Sequence, residues 1–376
     1  MKGTIDAILA DLQASGNLRT VALTDADAEL VDLSSNDYLG LAASARLRED
    51  FFKKEDVFAL PMSASASRLL AAHQNAFSSL ENRLAKAYAS PVLLFNSGYH
   101  ANTGMVSALG AVGSTFIIAD KLVHASIIDG IKLSGAPFAR FRHNDYTHLA
   151  TLARKAAADY NHVVIIAESV YSMDGDNADI DALAEVKRST PGAMLYIDEA
   201  HAVGVEGPAG LGLAESSQFR KDIDIVVGTF GKALASAGAY AVVSATLRNF
   251  FINKARSFIF STALPPIMAA WSEHVFSHML EMDSARSQLK MLGQKLASIL
   301  SQYGPPTHAG HIQPLIAGNP EKAVAWSKSL RSDGFIVLPI RTPTVPPGTD
   351  RLRFSIAANI DPAKLDTLSA ALSHLN

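Results

Sequence analysis

The chain has no cysteine among its 376 residues. That absence excludes disulfides, thiolate metal sites and a cysteine nucleophile; it fits a reducing compartment, so a cytoplasmic location is expected. An excess of one charge is lacking too. There are 33 Lys and Arg against 36 Asp and Glu, a net charge of −3, and the basic residues are scattered. No surface for nucleic acid or an anionic membrane is expected from such a balance. Apolar runs are short: HVVIIA at 162–167 is among the longest, far below the roughly 20 residues that cross a bilayer. The N-terminal MKGTIDAILADLQASG carries Asp6 and Asp11 inside its apolar pattern, which suits an amphipathic helix and not a secretory signal. No repeat or low-complexity linker is present.

What is there is apolar bulk, 48% of the residues, sufficient for one large α/β domain plus a smaller one. Ile5, Ile8, Leu9 and Leu12 recur at helical spacing, and Gly16 closes that helix. Further on, the short apolar runs VLLF, FIIAD, HVVIIAE, AMLYID and DIVVGT alternate with helical patterns. This alternation predicts a doubly wound, mostly parallel sheet buried on both faces, with functional residues at the C-terminal ends of its strands. After Pro265 and Pro266 the character changes to one long amphipathic helix over 267–300, followed by a small α+β unit. The expected organisation is an N-terminal helix and extended segment (1–40), a large domain (41–265) and a small C-terminal domain (266–376).

The stretch VVGTFGKALASAG (226–238) stands out, because Gly228, Gly231 and Gly238 bracket small residues around Lys232. Such a backbone turns tightly and admits close approach. A lysine on an apolar, glycine-walled shelf loses solvation, becomes neutral more easily and can form a Schiff base. Asp198 to His201, DEAH, resembles the magnesium box of a helicase-type ATPase when taken alone. That reading needs a phosphate loop G-x-x-x-x-G-K-[ST], and the chain has none. Pyridoxal phosphate uses the same residues better: Asp198 for its ring nitrogen, His201 for its ring oxygen and Lys232 for its aldehyde. The segment Ser97–Asn102, with Gly98, offers backbone N–H groups at a helix start for the phosphate, and Thr229 could add a hydroxyl. His124 could stack on the ring and Ser172 could reach the ring oxygen. Asp174 and Asp176 read as turn residues.

SNDYLGL (35–41), FNSGYHAN, HASIIDG, RFRHND, SVYSMDGD, YIDEAHAVGVEG, GTFGKA, FSTALPP and RTPTVPPGTDRLR stand in the order and spacing of the α-oxoamine synthases. The chain resembles this family of pyridoxal-phosphate enzymes of fold type I from about residue 5 to its end. The resemblance implies that Lys232 holds the cofactor covalently, that Asp198 pairs with the ring nitrogen, and that His201 and Ser172 contact the ring oxygen. It further implies His124 over the ring, with Gly98, Tyr99 and Thr229 around the phosphate. Arg353 would bind the amino-acid carboxylate with Asn36 nearby; Arg19 and Thr344 match substrate-contacting positions. Thr262 would reach the phosphate of a neighbouring subunit in a homodimer with shared active sites.

The cues RFRHNDYTHL, HIQPLI and IRTPTVPPGTDRLR are closest to members that condense L-alanine with a pimeloyl thioester, on coenzyme A or a carrier protein, in biotin biosynthesis. Glycine-using and serine-using relatives, and a catalytically silent homologue, are the alternatives. One stretch departs from the family's Gly-Ser-Gly-Gly-Ser-Arg: here it is Ser63-Ala64-Ser65-Ala66-Ser67-Arg68. Any positive-φ backbone in that loop would be strained without glycine, and the acyl pocket is the part affected.

Overall fold

The computed structural model describes residues 1–21, 30–305 and 308–375. A two-residue strand, β1 (Val31–Asp32), comes first. Seven strands follow: β2 (Val92–Phe95), β3 (Thr115–Asp120), β4 (Phe138–Phe141), β5 (His162–Glu168), β6 (Ala193–Asp198), β7 (Ile225–Thr229) and β8 (Ala239–Val243). They make one sheet in the order β2-β8-β7-β6-β5-β3-β4. β8 is antiparallel to both of its neighbours, and the other pairings are parallel. The sheet is therefore mostly parallel and doubly wound.

Its central strands are apolar along their whole length because helices cover both faces. Ile117, Ile165, Ile166, Leu195, Ile197 and Val226 are fully buried, each worth roughly 1.5–3 kcal/mol of apolar burial. The connecting helices start on capping side chains: Ser97 accepts from His100 N, Asp145 from His148 N and Asp179 from Ala182 N. These caps fix where each strand gives way to its helix. Gly98, His124, Glu168, Asp198 and Thr229 lie at or just beyond strand ends.

Packing divides the chain into two units. The larger holds Leu39–Tyr171 and Asn177–Arg286; the smaller holds Met1–Tyr38, Ser172–Asp176 and Ser287–Asn376. The expected boundary near 265 falls one helix earlier than this division. The smaller unit contains the remaining strands, β9 (Ile312–Ile316), β10 (Phe335–Ile336), β11 (Leu338–Ile340) and β12 (Arg351–Ser355). β12 is central in an antiparallel sheet β11-β12-β9, and β1 pairs in parallel with β10. The first helix, Lys2–Ala14, ends before Gly16 at φ +66°.

The single helix expected over 267–300 is two helices, Pro266–Met279 and Asp283–Leu300. Arg286 explains the break. Its guanidinium donates to the carbonyl of Met279 at 2.9 Å, which Met282 N also reaches at 3.1 Å, to that of Leu280 at 3.4 Å, and to Asp283 Oδ1 at 2.6 Å. No helix among the described residues is long and apolar enough to cross a membrane.

Candidate active site

In the larger unit a cavity of about 160 Å³ opens at the C-terminal edge of the sheet. Gly98, Tyr99, His124, Asp198, His201, Thr229 and Lys232 all line it, together with Asn102, Glu168 and Ala200. Seven residues singled out from sequence therefore converge on one space.

Asp198 ends β6 and is buried. Its Oδ2 accepts from Asn102 Nδ2 at 2.7 Å and its Oδ1 from Ala200 N at 2.9 Å. Donors on both oxygens fix the orientation of the carboxyl group. Asn102 is itself held, since the hydroxyl of Tyr196 donates to its Oδ1 at 2.6 Å. Its Nδ2 also reaches Ser126 Oγ at 2.9 Å, and that hydroxyl lies 2.7 Å from His124 Nδ1. Ser126 N donates to the same nitrogen at 3.2 Å. A backbone N–H can only donate, so Nδ1 is an acceptor and the ring proton sits on Nε2. Desolvation lowers the His124 pKa more than the Asp198 carboxylate raises it, and Lys232 lowers it further. His124 thus presents a neutral ring.

The lysine loop runs between β7 and β8. Thr229 Oγ1 donates to Gly238 O at 3.1 Å, and Phe230 N donates to the same carbonyl at 2.9 Å. Gly238 has φ +101°, a conformation that glycine alone adopts readily. Gly228 serves packing: an added Cβ would sit 2.3 Å from the Tyr240 ring. Lys232 is half-buried, with Nζ 2.7 Å from His201 Nε2, close enough to exchange a proton. Tyr99 donates to Asp129 Oδ2 at 2.5 Å.

The helix Gly98–Gly110 aims its first turn at the cavity. The leading N–H groups of a helix lack intrahelical partners and bear partial positive charge. An added Cβ at Gly98 would meet nothing nearer than Thr229 Cβ at 4.0 Å. The space over Gly98 is open, so an anion could approach those N–H groups closely. With a fixed carboxylate, a neutral histidine, a lysine and this cradle around one space, the residues present fit pyridoxal phosphate.

In the smaller unit Arg353, on β12, is 4% exposed. Its Nε donates to Ser172 O at 2.6 Å, and its Nη2 donates to Asn36 Oδ1 at 3.0 Å. Among the described residues no carboxylate pairs with it. A guanidinium so placed has the planar fork that could take a carboxylate. Ser172 belongs to this unit and is not among the residues lining the cavity. Asp174, expected as a turn residue, pairs with the buried Arg351 at 2.5 Å. Arg19 Nη2 donates to Thr344 Oγ1 at 2.8 Å, so the two predicted substrate positions meet. Thr262 is exposed and bridges to Ser67, and its carbonyl accepts from Asn96. In the 63–68 loop Ser65 adopts φ +52°, the strain expected from the missing glycines, with its N–H on Ser63 Oγ at 3.0 Å.

Sequence reasoning missed Tyr196, Ser126 and Glu168, and took Asn102 only as part of a backbone loop. The polar tyrosine at the centre of AMLYID was the available signal, because a buried hydroxyl needs a partner.

The profile of the family described as "Aminotransferase class I and II" matches residues 28–372. The 8-amino-7-oxononanoate synthase of Chlorobaculum parvum is 44% identical over 370 residues, 97% of this chain and 94% of that protein. Among solved structures, a serine palmitoyltransferase from S. paucimobilis bearing a PLP–myriocin adduct superposes with TM-score 0.89 at 26% identity, covering 99% of this chain and 96% of the other. The 8-amino-7-oxononanoate synthase of Francisella tularensis gives TM-score 0.76 at 28% identity, over 93% of this chain and 97% of the other.

Proposed function

From the premise that the chain belongs to the class I and II aminotransferases, and within them to the 8-amino-7-oxononanoate synthase family, we propose that it condenses L-alanine with a pimeloyl thioester. The products are 8-amino-7-oxononanoate, carbon dioxide and the free thiol. The observation that carries this reading is the convergence of Lys232, Asp198, His201 and His124 on one cavity beside a helix N-terminus.

Pyridoxal phosphate, when bound, supplies an electron sink for the charge left on an amino acid's α-carbon. The chain's own residues do the rest. Lys232 is the covalent anchor, and its amine, 2.7 Å from His201 Nε2, takes up a proton and returns it. Asp198, its two oxygens fixed by Asn102 and Ala200 N, holds a proton on the ring nitrogen. His124 offers a neutral face, and Gly98 and Tyr99 hold the phosphate with their N–H groups. Ser172 and His201 serve the ring oxygen. Arg353 takes the alanine carboxylate with Asn36, while Arg19 and Thr344 meet the acyl substrate. Thr262 acts toward a second subunit in a cytoplasmic homodimer.

Purified protein loaded with pyridoxal phosphate is offered L-alanine, glycine or L-serine with pimeloyl-CoA or a pimeloyl carrier protein, and thiol release is followed. Alanine is the preferred amino acid on this reading. Faster turnover with glycine or serine would move the chain to another branch of the family, and none with any of the three would mark a silent homologue.

A further inference from the structure

Glu168 has no role in the account so far. It ends β5, is 3% exposed and lines the same cavity as Lys232 and Asp198. It stands directly opposite Asp198 in the parallel ladder. One of its oxygens, Oε1, has no hydrogen-bond partner. An unpartnered buried polar atom costs about 1–3 kcal/mol, and such atoms persist where a bound molecule completes them.

The charge state follows from the neighbours. Asp198, directly opposite, has a donor on each oxygen. Burial, and then repulsion from Asp198, push the Glu168 carboxyl well above the usual carboxylate range; the opposing pull of Lys232 is smaller. Burial thus favours the acid form of Glu168, and an acid O–H beside a cavity is a donor.

We infer that Glu168, buried on the cavity wall with Oε1 unpartnered, is a binding residue that donates a hydrogen bond to an anionic or phenolic oxygen of the occupant. The inference rests on the proposed pyridoxal-phosphate function. The oxygen belongs either to the cofactor or to the amino acid bound beside it, and the two sources separate experimentally.

Glu168→Gln keeps a donor of the same shape, and Glu168→Met keeps the bulk without one. For each variant and the wild type, the affinity for pyridoxal phosphate is read from quenching of protein fluorescence. The affinity of the loaded protein for L-alanine is then read from the shift of the cofactor's absorbance band. Thermal unfolding of the cofactor-free proteins tracks folding. Glu168→Met should bind one of the two ligands about tenfold or more weakly, whereas Glu168→Gln stays within about threefold of wild type. Loss confined to pyridoxal phosphate assigns the oxygen to the cofactor; loss confined to alanine assigns it to the substrate carboxylate.

Glu168→Met binding both ligands like wild type would overturn the inference, as would Glu168→Gln losing tenfold in either affinity. If the Met variant does not fold, the Gln variant decides by that same threshold. Wild-type protein that takes up no pyridoxal phosphate would instead bring down the functional reading itself, and this inference with it.

Discussion

Glu199, the second residue of DEAH, is fully buried and faces away from the chemistry. Its Oε2 accepts from Ser169 Oγ at 2.6 Å and Leu213 N at 3.1 Å, and its Oε1 from Ala214 N at 2.6 Å. It clamps the segment 212–214 so tightly that a Cβ on Gly212 would lie 2.7 Å from its carboxylate. Burial raises its pKa from 4.5 to about 7, although the three donors pull the other way. Between those values the folded chain keeps a proton that the unfolded chain has released, so folding stability from this group falls as pH rises. The gap between 4.5 and about 7, at about 1.4 kcal/mol per pH unit, makes the loss about 3.5 kcal/mol. The stabilisation is fully present below pH 4.5 and gone above about 7. Glu199→Gln cannot ionise, so its stability curve should lack that slope, whatever the constant offset from the altered donors. Denaturant unfolding of both proteins at pH 5, 6, 7 and 8 gives the difference, which should shrink by roughly 2–3 kcal/mol across the range. A difference independent of pH would refute the reasoning.

Other substitutions test single links. Lys232→Ala should leave the fold intact and abolish turnover; retention of more than a small fraction of wild-type rate, measured by thiol release, would contradict its role as anchor. Asn102→Ala removes the donor that fixes Asp198 and strands the buried Tyr196 hydroxyl. Lost stability of about 2–5 kcal/mol by denaturant titration is expected, together with weakened cofactor binding. Gly228→Ala drives a methyl against the Tyr240 ring, whose hydroxyl lies 2.6 Å from that of Tyr88. It should destabilise by about 1–3 kcal/mol, read as a lowered melting temperature.

The sheet and its strand-end chemistry were legible because buried parallel strands are written as short apolar runs, and the residue after each run is where such a sheet exposes function. Lys232, Asp198 and His201 carry their chemistry in their side chains, so spacing alone brought them together. Asn102 did not stand out, since a single amide inside a helix looks like any polar residue until the fold lays Tyr196 and Asp198 on either side of it. Glu168 read as the polar end of HVVIIAE, and only the register opposite Asp198 gives it meaning. The break at 280–282 was hidden because Leu280 and Met282 continue the apolar pattern, and its cause, the cap by Arg286, lies beyond the turn. The membership of 172–176 in the smaller unit depends on distant pairs such as Arg351 with Asp174, which no local pattern reveals.

The most direct test follows one carbon atom. L-Alanine labelled with ¹³C at its carboxyl group is turned over with pimeloyl-CoA, and headspace gas and amino ketone are both analysed by mass spectrometry. The account predicts one labelled carbon dioxide per free thiol and an unlabelled 8-amino-7-oxononanoate. Label retained in the product, or thiol released without labelled gas, would contradict a decarboxylative condensation.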